Sequence, residues 1–158
     1  MTDPTVYAED LHAGQRYDLG DHTVSEDELL DFASQWDPQS FHVDREAAEA
    51  GAFGGLIASG IHSLAIAQQL SVTSLLHSWS VIAGRRLREV EFRAPVRSDD
   101  TLAGTLHIDA VVLGTRDRGL VTYTTELVNQ ADAMVLRFDV DVYLRTRSVP
   151  TDVRGSNP

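Results

Sequence analysis

Two hydrophobic periodicities divide the chain. From Glu26 to about Trp36 the apolar residues Leu29, Leu30, Phe32, Ala33 and Trp36 recur at helical spacing, which predicts a helix with one buried face and makes Trp36 a core aromatic. Ser25 and Glu28 form a capping-box pattern at its start, and Pro38 forbids its continuation. Val43 to Gly51 reads as a short helix with Asp44 as cap and Gly51 as stop. From Gly60 to about Leu76 the chain is apolar on most sides, broken by Ser, Thr, His and Gln. A helix of that kind is expected to be wrapped by other structure.

After Gly84 the period changes to two. Arg86 to Phe92, Leu102 to Leu113, Leu120 to Gln130 and Met134 to Leu144 read as strands, separated by turns at Pro95 to Thr101, Gly114 to Gly119 and Ala131 to Ala133. A further, interrupted strand is expected over residues 16 to 24. One long helix against an antiparallel sheet of about five strands is an α+β architecture. The expected organisation is an N-terminal arm over residues 1–14, a single domain over 15–147 and a flexible tail over 148–158.

The composition narrows the chemistry. With 158 residues and 42% hydrophobic content, one core of useful size is expected. The chain has no Cys, which removes disulfides, thiolate nucleophiles and cysteine zinc sites. All 13 basic residues are Arg, so a lysine Schiff base is excluded. A net charge of -11 opposes nucleic acid and anionic membranes at long range. The acidic first residues lack an apolar run, and no stretch of about 18 apolar residues occurs, so the expectation is a soluble cytoplasmic protein.

The stretch from Trp36 to Gln69 concentrates the polar chemistry. Asp37 and His42 bracket Pro-Gln-Ser-Phe, where the proline favours an extended or turning backbone, so both side chains can converge on one pocket. Ala52 to Ile57 is a joint of small residues, and Ala58-Ser59-Gly60-Ile61 opens the long helix. Taken alone, Asp37 also fits a turn former and His42 a packed imidazole. His62 and His77 read as hydrogen-bonded groups of the long helix. No histidine pair has ligand spacing, so no metal is expected.

In this order of elements the chain resembles the MaoC-like dehydratase family of the hotdog fold, which includes the R-specific enoyl-CoA hydratases. The family pattern is Asp, then Asn and Pro two and three residues on, then His five after the Asp. Here Asp37, Gln39, Ser40 and His42 stand in those places, so the acid and base are kept while Gln39 and Ser40 depart. The resemblance extends to the stretch from Phe53 to Gly60 and to Val90 to Val96, and covers roughly residues 10 to 145.

It implies reversible hydration of a trans-2-enoyl-CoA to a 3-hydroxyacyl-CoA by an acid–base pair of Asp37 and His42, with either as the formal acid. Asp37 would be the proton donor if burial raises its pKa. Gly60, opening a buried helix, would offer its N–H to the thioester oxygen, and Ser59 would cap that helix or fix Asp37. Gln39 would hold substrate or Asp37, or narrow the pocket. Arg85, Arg86 and Arg93 are candidates for coenzyme A phosphates, against the plainer reading of a solvated strand edge. No cofactor is implied beyond the substrate's own coenzyme A, and a homodimer paired through a sheet edge is expected. The competing functions are a hotdog acyl-CoA thioesterase and a catalytically silent module that binds acyl thioesters.

Overall fold

The computed structural model describes residues 5–147, which form one sheet and its covering helices; the predicted tail over 148–158 lies outside the described residues. Five strands, β1 (Arg16–Thr23), β2 (Val81–Phe92), β3 (Thr101–Leu113), β4 (Arg118–Val128) and β5 (Met134–Arg145), make an antiparallel sheet in the order β1-β3-β4-β5-β2. The alternation of β5 decides its facing. Leu136, Phe138, Val140, Val142 and Leu144 are buried in the core, and Arg137, Asp139 and Tyr143 take the other face.

Four helices lie between β1 and β2 in the chain: α1 (Glu26–Trp36), α2 (Ser40–Val43), α3 (Arg45–Ala50) and α4 (Gly60–Ser74). Asp44 caps α3 by accepting from the Ala47 N–H, as its position in the sequence predicts. Helix α4 stops where Ser71, Thr73 and Ser74 turn their hydroxyls onto the carbonyls of Ala67, Gln69 and Leu70. His77 therefore lies past the helix, in a 3₁₀ turn.

Several expectations are corrected. Strand β2 starts at Val81, five residues before the first alternating residue. It is an edge strand, exposed on both faces over its first seven residues and shifted in register three times, so burial imposes no alternation there. Helix α4 is not wrapped on all sides: His62, Ser63, Ile66, Ala67, Leu70 and Ser71 form its buried line, and Ile61 and Val72 are exposed. Trp36 is not a core aromatic, since it is 72% exposed at the last position of α1. Within the stretch expected as an arm, Val6 bridges to Trp79, and Ala8 is buried against Gly119, where an added Cβ would come within 2.6 Å of it. No helix among the described residues is long and apolar enough to cross a membrane.

The capping box is half formed. The Ser25 hydroxyl accepts from the Glu28 N–H, but the Glu28 carboxylate does not return to Ser25. It accepts from Nε2 of His22 on β1 at 2.8 Å and from Nε2 of His62 on α4 at 3.0 Å. Burial holds the His62 pKa below the ordinary histidine value, outweighing its bond to Glu28. The two histidine bonds hold the Glu28 carboxyl below the usual range against the opposing effect of its own desolvation.

Both shifts have one sign: the folded state binds fewer protons than the unfolded chain. Stability is therefore complete above the unfolded values and is lost as pH falls from about 6.5, first through His62 and then through Glu28. Thermal midpoints measured from pH 7.5 to 4.5 should fall, and His62→Gln should flatten the upper part of that fall. An unchanged slope between pH 6.5 and 5.5 in the variant would refute the assignment.

Candidate active site

Asp37 closes α1 as its C-cap, its N–H donating to the Ala33 carbonyl. The chain then bends through Pro38 and Gln39, and α2 supplies one helical turn that swings His42 inward. The link from Asp37 to His42 is thus a bend followed by a helical turn, where an extended or turning segment was expected. Ser40 stands at the first helical position, which a proline also tolerates because its N–H needs no helical partner. Replacing proline there leaves the turn intact.

Asp37 and His42 do converge. His42 Nε2 lies 3.4 Å from Asp37 Oδ2, and the imidazole is only 4% exposed. His42 Nδ1 is 2.7 Å from the Ile57 carbonyl, and because a carbonyl only accepts, Nδ1 is the protonated nitrogen and donates. In the neutral ring the Nε2 lone pair faces the carboxylate. In that form a single donor placed between the two, such as a water molecule, would bond both.

Asp37 is fixed from two further sides. Gln39 Nε2 donates to Oδ1 at 2.8 Å, and the Ser59 hydroxyl donates to Oδ2 at 2.7 Å. The Ser59 bond and then the Gln39 bond hold the Asp37 carboxyl below the usual carboxylate range, and desolvation opposes them only weakly. The condition attached to a proton-donating Asp37, a carboxyl raised by burial, is not met, because its partners donate to the charged form.

Ser59 is fully buried and its Oγ also accepts from the Ile61 N–H at 3.2 Å, so one hydroxyl both caps α4 and clamps Asp37. The neighbouring Gly60 N–H, at the positive end of a 15-residue helix with no acid in its first turn, has no acceptor among the described residues. Gly60 also needs its missing side chain, since a Cβ would lie 2.7 Å from the Phe92 ring.

Asp37, Gln39, His42 and Gly60 line one cavity of about 420 Å³, with Phe53, Ile57, Ala58, Phe92 and Val135 among its apolar walls, while Ser59 is buried behind it. A mostly apolar cavity with a few convergent polar groups is the usual form of a small-molecule site. The backbone parts could not be read from side-chain patterns: the Ile57 carbonyl that sets the His42 tautomer, and the Val96 carbonyl that receives the Ala58 N–H and anchors the entry to α4.

The arginines divide. Arg93 lines the cavity while bonded to Glu91. Arg85 and Arg86 do not line it: Arg85 lies over the Tyr143 ring, and Arg86 is 3.9 Å from Asp141 on β5. No cluster of three or more metal-ligating side chains occurs among the described residues.

Comparison with known proteins assigns a family. The model of the MaoC-like domain matches residues 10–131. The chain belongs to the MaoC-like dehydratase family. The uncharacterized protein YdeM of Bacillus subtilis is 32% identical over 132 residues, covering 84% of this chain and 94% of that protein. A MaoC-like dehydratase from Rhodospirillum rubrum superposes with a TM-score of 0.82 at 36% identity, covering 91% of this chain and 99% of that one. A protein from Archaeoglobus described as a monoamine oxidase regulatory protein gives 0.87 at 29% identity, covering 94% and 99%. The architecture of this MaoC-like chain is the hotdog fold, a five-stranded sheet against a central helix.

Within that fold, Ser59→Ala should act at two places. The Asp37 carboxyl should rise toward its ordinary value near 3.8, seen in carboxyl carbon NMR titration. The uncapped α4 should cost about 1 kcal/mol in a denaturant melt. An Asp37 titration identical to wild type would contradict the clamp.

Proposed function

We propose that this MaoC-like protein adds water reversibly across the C2=C3 double bond of a trans-2-enoyl thioester of coenzyme A, giving the 3-hydroxyacyl thioester. The observation that carries the reading is the close approach of His42 Nε2 and Asp37 Oδ2, 3.4 Å apart on a largely apolar cavity beside a helix N-terminus.

In the hydration direction a water molecule is held between the two groups. His42 Nε2 takes one of its protons as the oxygen attacks C3, and the π electrons move onto the thioester oxygen. The Gly60 N–H, aided by the helix dipole, holds that developing negative charge. Asp37 stays ionised, as its two donors favour, and stabilises the transient imidazolium, whose Nδ1–H stays on Ile57. The Nε2 proton then passes to C2. One C–O and one C–H bond form while one O–H bond and the π bond break, so the hydrogen and hydroxyl added come from one water molecule and no redox cofactor enters.

Gln39 takes the part of a carboxylate holder, which its bond to Asp37 supports. Arg93, at the cavity, is the arginine best placed to meet a coenzyme A phosphate. Arg85 and Arg86 join it only if the bound coenzyme reaches along β2.

The functional unit in this proposal is a homodimer paired through β2. That strand is a free sheet edge whose Val81, Ile82, Leu87 and Phe92 are all substantially exposed, and the open face of α4 adds Ile61 and Val72. A second copy would cover both.

Purified protein given crotonyl-CoA and longer or branched enoyl-CoAs should consume the conjugated absorbance, and Asp37→Asn and His42→Ala should each lower turnover by about 100-fold or more. Release of free thiol in place of hydration would instead indicate a thioesterase. Binding without either, unaffected by Asp37→Asn, would indicate a silent module. Light scattering should give twice the 17.4 kDa chain mass, and Leu87→Asp should shift it toward the monomer. An unshifted dimer would move the interface off β2.

A further inference from the structure

We propose that Glu28, outside the cavity, is a positioning residue for the catalytic pair: it fixes the turn of α4 that carries Ser59 and Gly60 against the helix that ends in Asp37. The inference deepens the hydration reading and rests on it for its kinetic test.

Helix α1 carries Glu28 in its first turn and ends in Asp37. Helix α4 carries Ser59 as its cap and His62 within its first turn. The two helices are therefore joined twice by polar bonds. At one end of α1 Ser59 donates to Asp37 at 2.7 Å, and at the other His62 Nε2 meets Glu28 Oε1 at 3.0 Å. Between these points the His62 ring stacks on Phe32, with centroids 4.5 Å apart and planes within 7°. His22 on β1 meets the same carboxylate, reaching both oxygens at 2.8 and 2.9 Å, so the sheet is included in the tie.

A carboxylate meeting two imidazoles from two other elements has little freedom. Release of Glu28 frees the first turn of α4 to rotate or slide along α1. The Ser59–Asp37 bond and the direction of the Gly60 N–H depend on that same turn. Displacements well under 1 Å at a reacting centre cost rate more than binding, because the transition state makes the shorter and more directional bonds.

The cluster has the marks of a constrained polar site in a partly buried place. His62 is 4% exposed, and its Nδ1 is buried without a partner, a cost that an apolar residue at this position would avoid. The other ionisable group lining the groove beside it is Asp31, on the next turn of α1. Nothing in the hydration chemistry uses these groups directly.

Two readouts separate this proposal from the hydration reading. The first is kinetic: Glu28→Ala should lower kcat about tenfold or more with KM changed less than about twofold, and Glu28→Gln, whose amide oxygen still accepts from both imidazoles, should recover most of kcat. The second needs no turnover. Carboxyl NMR of Asp37 should show its pKa rising in Glu28→Ala, as the Ser59 bond loosens, and remaining low in Glu28→Gln. If Glu28→Ala does not fold, His62→Gln takes its place in both measurements, with the same losses expected.

An Asp37 titration unchanged in Glu28→Ala, or Ala and Gln variants equally impaired, overturns the positioning role. Absence of enoyl-CoA turnover in wild type, with the Asp37 shift still present, would sink the hydration reading and leave the mechanical coupling in place.

Discussion

A single buried hydroxyl holds this site together. Ser59 Oγ donates to the Asp37 carboxylate and accepts from the Ile61 N–H, so the end of α1 and the beginning of α4 share one atom. The arrangement uses both capacities of a serine hydroxyl, and it joins two helices 22 residues apart in sequence at the point where chemistry is proposed. It also decides a charge state. The donors to Asp37 reward its ionised form, so in the proposed hydration the proton-carrying part is left to His42, whose tautomer is set from behind by the Ile57 carbonyl.

The rest of the domain explains how that atom is kept in place. The Val96 carbonyl receives the Ala58 N–H just before Ser59, so the turn between β2 and β3 anchors the entry to α4. Glu28 and His62 anchor the same turn from the side of α1. The sheet contributes a firm inner face, and α4 rests its buried line mainly on β1, β3 and β4. The cavity thus sits where two helix ends, one sheet corner and the Gly60–Phe92 contact meet.

Where the molecule is unfinished is equally informative. The outer strand β2 and the open side of α4 expose large apolar residues next to the cavity, and Phe92 belongs to both the edge and the cavity wall. A partner covering the edge would therefore also narrow the mouth of the site. Binding and assembly are in that sense physically adjacent problems in this chain.

What the sequence determined by itself was the set of strongly periodic elements and the residue types at the site. The alternation of β5, the helical spacing of α1 and the order of Asp37, His42, Ser59 and Gly60 were all readable, because they follow from local periodicity and from a family pattern that spans most of the chain. Tertiary structure alone decided the details that depend on distant groups. Whether Glu28 closes a capping box or meets two histidines, whether Trp36 is buried, and whether Asp37 is raised or lowered in pKa all turn on which side chains and carbonyls arrive from other elements. Those arrivals leave no periodic trace. A local pattern records which face a residue occupies, but the partner waiting on that face is fixed only when the sheet and helices close around it.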